Sequence, residues 1–125
     1  RAMSDCPFCQ PEPGRVLLEN DLVVAIRDGF PVTEGHTLII SRRHCPDYFS
    51  ASEPEKRAIW AMVEQVKDEL QRRYAPEGFN VGFNAGEAAG QTVMHLHVHV
   101  IPRRLGDVQD PRGGVRGVIP AKQRY

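Results

Sequence analysis

The stretch His95-Leu96-His97-Val98-His99-Val100-Ile101-Pro102-Arg103 constrains this chain more than any other. Histidine alternates with aliphatic residues there, and alternation over that length is the pattern of a half-buried β-strand. Strand side chains point to opposite faces with period two, which places His95, His97 and His99 on one face and Leu96, Val98 and Val100 on the other. Twice the strand rise spaces neighbouring imidazoles by about 6.5–7 Å, a row suited to one phosphate or one metal ion. Such a row is poor core filling, because each buried ring brings polar atoms that need partners. Imidazole clusters belong mostly to chemistry, since the ring titrates near neutral pH and serves as nucleophile, acid, base or ligand.

A chain of 125 residues supports one domain with a core of its own, expected over 1–105, followed by a tail or lid over 106–125. Lysine and arginine, 16 together, balance 16 acidic residues, so no overall field draws the chain to nucleic acid or to an anionic membrane. Recognition of an anion has to be local. No apolar run reaches the length of a membrane span, and the first residues lack a signal-peptide pattern. Arg1-Ala2 ahead of Met3 reads as an expression remnant, with the natural start at Met3. Three cysteines do not make a disulfide framework, and a reducing, cytoplasmic setting is expected.

Two of those cysteines stand in Cys6-Pro7-Phe8-Cys9. A redox pair belongs at a helix start near a βαβ unit, and neither is evident here. A zinc half-site needs two more ligands, which His44 and one histidine of the row can supply as a tetrahedral Cys₂His₂ set. The alternative is a pair of reduced, half-buried thiols.

In chain order, Val16-Leu17-Leu18-Glu19 and Leu22-Val23-Val24-Ala25-Ile26-Arg27 read as two strands joined by an Asn20-Asp21 turn. A third strand follows at His36-Thr37-Leu38-Ile39-Ile40-Ser41, opened by Gly35, where a close backbone approach and an ordinary turn are both open. Ser52 with Glu55 forms a capping box, with Pro54 in the first turn, and predicts a helix to about residue 74. Ile59, Met62, Val63, Val66 and Leu70 make its apolar stripe, with Trp60 beside it for helix burial or a subunit contact. A fourth strand is expected at Gly78-Phe79-Asn80-Val81-Gly82-Phe83-Asn84. The small, glycine-rich loop from 85 to 92 then lets backbone N–H groups approach an anion, and Thr92 adds a hydroxyl. In the polar tail, Arg112 and Arg116 are the residues that point to ligand contact.

With Gly90-Gln91-Thr92-Val93-Met94-His95-Leu96-His97-Val98-His99-Val100-Ile101 in view, together with Gly35-His36-Thr37-Leu38-Ile39-Ile40, the chain resembles the histidine triad (HIT) family of nucleotide hydrolases and transferases. The likeness covers about residues 6–103. It implies an α+β fold, a five-stranded and mainly antiparallel sheet carrying one long helix, with two chains paired as a homodimer that joins their sheets. It implies that His97 is the nucleophile on the α-phosphorus of a nucleotide, its other ring nitrogen held by the backbone carbonyl of His95. His99 and His36 would then line the phosphate, with Gln91, Thr92 and Asn84 on the phosphate or leaving group. Asp28 matches the place of a ribose ligand, and Phe8, Ile26 and Leu38 the walls around the base.

The same resemblance assigns a structural zinc to Cys6, Cys9, His44 and the ring of His95, and no organic cofactor. The activity it implies is cleavage of a dinucleoside polyphosphate such as diadenosine tetraphosphate to release AMP. A nucleoside phosphoramidase, phosphorolysis by inorganic phosphate and a non-catalytic nucleotide-binding module are the alternatives. A zinc hydrolase is disfavoured, because four protein ligands leave the metal no open position for water.

Overall fold

The computed structural model describes residues 5–125, so the reading of Met3 as the natural start lies outside the described residues. Five strands and one long helix form the frame: β1 (Val16–Glu19), β2 (Val23–Arg27), β3 (Thr37–Ser41), α1 (Glu53–Tyr74), β4 (Gly78–Gly82) and β5 (His97–Arg103). The strands make a single sheet in the order β1-β2-β3-β5-β4. Every neighbouring pair is antiparallel. The α+β architecture implied by the family resemblance is the one observed.

Strand alternation divides the core in two. Val23, Ala25, Ile39, Val98 and Val100 face α1 and pack on Ile59, Met62, Val66 and Leu70 of its stripe, with Val63 partly buried beside them. On the opposite face, Val24, Ile26, Leu38 and Ile40 form a smaller apolar cluster against Phe8 and Val16. His97 pairs with Ile40 and His99 with Leu38 in the β3–β5 register, so both imidazoles stand on that second face.

The helix begins where its cap dictates. Ser52 Oγ accepts the Glu55 N–H at 3.2 Å, and Glu55 returns the bond to the Ser52 N–H at 2.8 Å. Glu55 is buried and also receives Arg43 at 2.9 and 3.1 Å, which fastens the segment after β3 to the helix start. The C-terminus turns through Ala75 at φ 47°, whose N–H bonds the Gln71 carbonyl at 3.1 Å. Gly35 settles the choice left open by the sequence. Its φ is +96°, and a Cβ there would stand 2.9 Å from Tyr74 Cε2, so the position demands both a left-handed backbone and a close approach to α1.

Several boundaries differ from the sequence reading, and β3 starts one residue late, at Thr37. The hairpin turn is Asp21-Leu22 rather than Asn20-Asp21, because Asn20 N–H already pairs with the Val23 carbonyl and Asn20 Oδ1 accepts the N–H groups of Leu22 and Val23. β4 stops at Gly82, two residues early. β5 starts at His97, so His95 and Leu96 precede the strand and only two of the three histidines obey its alternation. Trp60 is exposed, its Nε1 donating to Tyr48 Oη at 3.1 Å.

Candidate active site and metal cluster

The three histidines of the motif divide between two sites. His95 is fully buried, and its ring turns away from the row towards the N-terminal cysteines. Its Nε2 lies 2.6 Å from the Ser41 carbonyl, so the ring proton sits there and the Nδ1 lone pair is left to a metal. Around that nitrogen stand Cys6 Sγ at 3.2 Å, His44 Nδ1 at 3.1 Å and Cys9 Sγ at 3.6 Å, with Cys9 Sγ 3.1 Å from His44. Zinc bonds of about 2.0–2.3 Å in a tetrahedron put ligand atoms roughly 3.3–3.7 Å apart. The donor set and its spacing therefore fit zinc. Cys45, the remaining thiol, is buried apart from this set and pushed upward in pKa by its burial.

On the open face of the sheet, each remaining imidazole has its tautomer set by a neighbour. His97 Nδ1 donates to the His95 carbonyl at 2.8 Å, which leaves Nε2 with its lone pair. The Val32 N–H donates to His36 Nδ1 at 3.1 Å, so neutral His36 carries its proton on Nε2. That Nε2–H donates to His99 Nδ1 at 2.9 Å, and the proton of His99 accordingly lies on its own Nε2. One ring thus offers a lone pair and its neighbour a donor, with ring centroids 5.2 Å apart. Burial, reinforced by the nearby His97 and His36 rings, pushes His99 down to about 4, and burial also holds His36 below its ordinary value against the pull of Asp28. Both therefore stay neutral at pH 7.

Asp28, His36 and His99 form a second group with ligand atoms within 4.8 Å of one another. The tautomers tell against a metal there. With its Nδ1 occupied by the Val32 N–H, His36 has no lone pair at Nε2 to give. Asp28 instead accepts from the Phe30 N–H at 2.8 Å and places its other oxygen 3.4 Å from His36 Nε2.

A cavity of about 510 Å³ opens over these rings. His36, His97 and His99 line it together with Asp28, Asn84, Thr92, Phe8 and Leu38, so eight of the residues singled out from the sequence meet at one place. Phe8 presents its edge to the His97 ring at 5.0 Å. Two of the expected contact residues are placed otherwise. Ile26 is buried beneath the wall in the cluster with Leu38. Gln91 is buried too, and its amide is engaged by the loop: Oε1 accepts from Gly86 N–H at 2.8 Å, while Nε2 donates to the Pro46 and Val93 carbonyls at 2.6 and 3.0 Å. Gln91 thereby fixes the glycine-rich turn that presents Thr92.

The cavity also takes in Arg15, Phe30 and Val32, which carry no recognisable motif. The backbone N–H of Val32, which orients His36, leaves no trace in the sequence at all. Arg112 and Arg116 do not point to a ligand. Both lie on the Tyr125 ring, and Arg116 donates to the carbonyls of Lys122 and Gln123.

One antiparallel sheet thus sets a lone-pair imidazole beside a donor imidazole, with a sulfur–imidazole cluster behind. The HIT domain family matches residues 10–106, and the chain belongs to the HIT family. An uncharacterized HIT-like protein of Mycoplasma genitalium is 36% identical over 104 residues, spanning 80% of this chain and 74% of the relative. The AP-4-A phosphorylase of Mycobacterium tuberculosis is 31% identical over 105 residues, 83% of this chain but only 54% of that protein. Among solved structures, a zinc-bound histidine triad family protein from Mycobacterium smegmatis superposes with a TM-score of 0.77 at 31% identity, covering 86% of this chain and 81% of that one.

Proposed function

We propose that the protein is a hydrolase that releases a nucleoside monophosphate from dinucleoside polyphosphates of the diadenosine tetraphosphate kind, through a nucleotidyl-histidine on His97. The observation that carries this reading is the bond from His97 Nδ1 to the His95 carbonyl, which leaves the Nε2 lone pair for attack at the cavity. That lone pair attacks the α-phosphorus. As the N–P bond forms, the bond to the leaving group breaks and takes its electron pair away. Water then attacks the same phosphorus and the N–P bond breaks. Over both steps water supplies the hydroxyl that ends on phosphorus and the proton that ends on the leaving group.

His99 donates its Nε2–H to the phosphate, with His36 holding the other side of the ring. Thr92 and Asn84 add hydrogen bonds to the phosphate or leaving group, Asp28 takes the ribose, and Phe8 and Leu38 wall the base, with Ile26 supporting Leu38 from beneath. Gln91 acts through the loop it holds. The likeness to an AP-4-A phosphorylase supports the substrate class and keeps phosphorolysis, with phosphate in place of water, as a variant of the same chemistry. Cleavage of a nucleoside phosphoramidate is a second reading, favoured by an adjoining cavity that shares His99 and Asn84 with the first and is walled by Ile101, Val115 and Val118.

A zinc ion held by Cys6, Cys9, His44 and His95 serves structure in this reading: it ties the N-terminal segment to the loop after β3 and to the approach to β5. No organic cofactor enters. We place the protein in the cytoplasm as a homodimer whose sheets meet, for which the edge position of β4 supplies a strand.

The test is single-turnover incubation of wild type and His97→Ala with adenine-labelled diadenosine tetraphosphate, following AMP and label retained on acid-quenched protein. Wild type is expected to release AMP and trap label, and the variant to do neither. AMP release by His97→Ala at the wild-type rate overturns the nucleophile.

A further inference from the structure

The cavity over His97 is lined by two side chains, Phe30 and Arg15, that neither packing nor ion pairing within the protein accounts for. Phe8 and Leu38 belong to the apolar cluster on this face of the sheet, with Val16 and Ile26 packed among them. The chain leaves β2 at Arg27 and passes through Asp28, Gly29 and Phe30, all three of which line the cavity. Gly29 brings no side chain to it, and a Cβ built there would meet only Arg15 Nη2, at 3.9 Å. The wall has a gap at Gly29, with Phe30 next to it in the chain and Arg15 next to it in space.

Phe30 is 92% exposed, more than any other large apolar side chain among the described residues. Phe49 is exposed too, yet it packs on Tyr48 and Phe83, whereas the Phe30 ring meets no other ring among the described residues. Its backbone, by contrast, is fixed, because the Phe30 N–H donates to Asp28 Oδ1 at 2.8 Å. Asp28 is the proposed ribose ligand. The 2′-hydroxyl of a ribose neighbours the carbon that bears the base, so a ribose held by Asp28 carries its base beside this turn. A large apolar ring held in water at that place gains from being covered by another flat ring.

Arg15 stands at the same gap. Its Nη2 donates to the Arg27 carbonyl at 2.9 Å, which pins the guanidinium beside Gly29. Arg27, Arg42 and Arg43 each hold a glutamate, but no carboxylate pairs with Arg15 among the described residues. The rest of its fork keeps N–H donors without a protein acceptor, on a side chain that lines the cavity. Base edges present ring-nitrogen and carbonyl acceptors to such donors, and the planar cation also stacks on an aromatic ring.

We infer that Phe30 and Arg15 form the outer wall of the base subsite, Phe30 stacking on the base and Arg15 donating to its edge. This rests on the reading of the cavity as the nucleoside site, and adds to Phe8 and Leu38 the two residues that close it. Nothing in the reaction on phosphorus changes, and diadenosine tetraphosphate presents the same adenosine to the same wall. Stacking on an aromatic side chain, measured by alanine substitution, is worth about tenfold in affinity for one base.

The test is calorimetric titration of the full chain with AMP and with methyl β-D-ribofuranoside 5-phosphate, which keeps the sugar and phosphate and lacks the base. Wild type is expected to bind AMP at least tenfold more tightly, on the order of one stacked base. Phe30→Ala should weaken AMP about tenfold and Arg15→Ala about threefold, the scale of one stacked ring and one hydrogen bond. Both variants should bind the riboside phosphate as wild type does, and Phe30→Trp should keep the affinity for AMP. An AMP affinity untouched by Phe30→Ala, or a loss shared equally by the riboside phosphate, overturns the stacking role. A loss shared by both ligands in Arg15→Ala puts the guanidinium on the phosphate and overturns its place in the wall. Equal binding of the two ligands by wild type overturns the wall together with the nucleoside site beneath it. The label trapped on His97 is read apart from these affinities. A base-dependent gain lost in Phe30→Ala, in a protein that traps no label, supports the wall and overturns only the nucleotidyl-histidine.

Discussion

At the scale of single residues, the site is a matter of which nitrogen holds each proton. His95 divides its duties, its carbonyl setting His97 and its ring facing the two cysteines and His44. His36 and His99 are linked head to tail, and their surroundings keep them neutral. The folded pKa of His99 is about 4, below the roughly 6.5 of an unfolded imidazole. A depressed histidine stabilises the fold fully above pH 6.5 and loses that contribution as pH falls towards 4, because the unfolded chain binds the extra proton first. The groups facing His99 are His36, His97 and Asp28, of which only the last opposes the shift. Melting temperatures of wild type and His99→Gln between pH 7 and 4.5 check this. The wild type should lose more stability than the variant over that interval.

At the scale of elements, the segment after β3 and the start of α1 are one unit. Arg43 bonds to buried Glu55 hold its carboxyl down at about 2, and the Ser52 cap adds to this. A depressed carboxylate contributes stability above its unfolded pKa near 4.5 and loses it as pH falls through about 2. Because Arg43 is half exposed, the pair is partly screened. Glu55→Ala should cost roughly 2–3 kcal/mol in urea unfolding at pH 7, cap included, and much less at pH 2. The other end of α1 points the opposite way. Ala75 sits in the left-handed region, so Ala75→Gly should stabilise by about 0.5–1 kcal/mol in the same assay. Capping box, apolar stripe and helix end were legible because each depends on neighbours within one or two turns. The start of β5 was not, since His95 continues the alternating pattern while its ring answers to Cys6, Cys9 and His44.

At the scale of the molecule, the N-terminal segment reaches the approach to β5 through the Cys6, Cys9, His44 and His95 cluster. A zinc held there binds the assembled native cluster more tightly than the unfolded chain, so its removal lowers stability by linkage. Purified protein should carry about one zinc per chain by elemental assay. Treatment with a strong chelator should lower the melting temperature by roughly 5–10 °C while AMP release at low temperature persists. Loss of turnover in step with zinc, with the fold intact by circular dichroism, would assign the metal to catalysis.

The sequence by itself determined the sheet's two faces, the helix with its cap, and most of the residues that line the cavity over His97 and His99. Those follow from periodicities of two and 3.6 residues and from side-chain chemistry that needs no partner to be recognised. Only the tertiary structure decided which imidazole serves which site, because a tautomer is set by whatever donor or acceptor lies 3 Å away, such as the Val32 N–H on His36 at 3.1 Å. It also decided that Gln91 braces a loop and that the tail's arginines fold upon Tyr125. The tail's valines line one cavity with His99 through the fold alone, since no local pattern relates residues 115 and 118 to a strand that ends at Arg103.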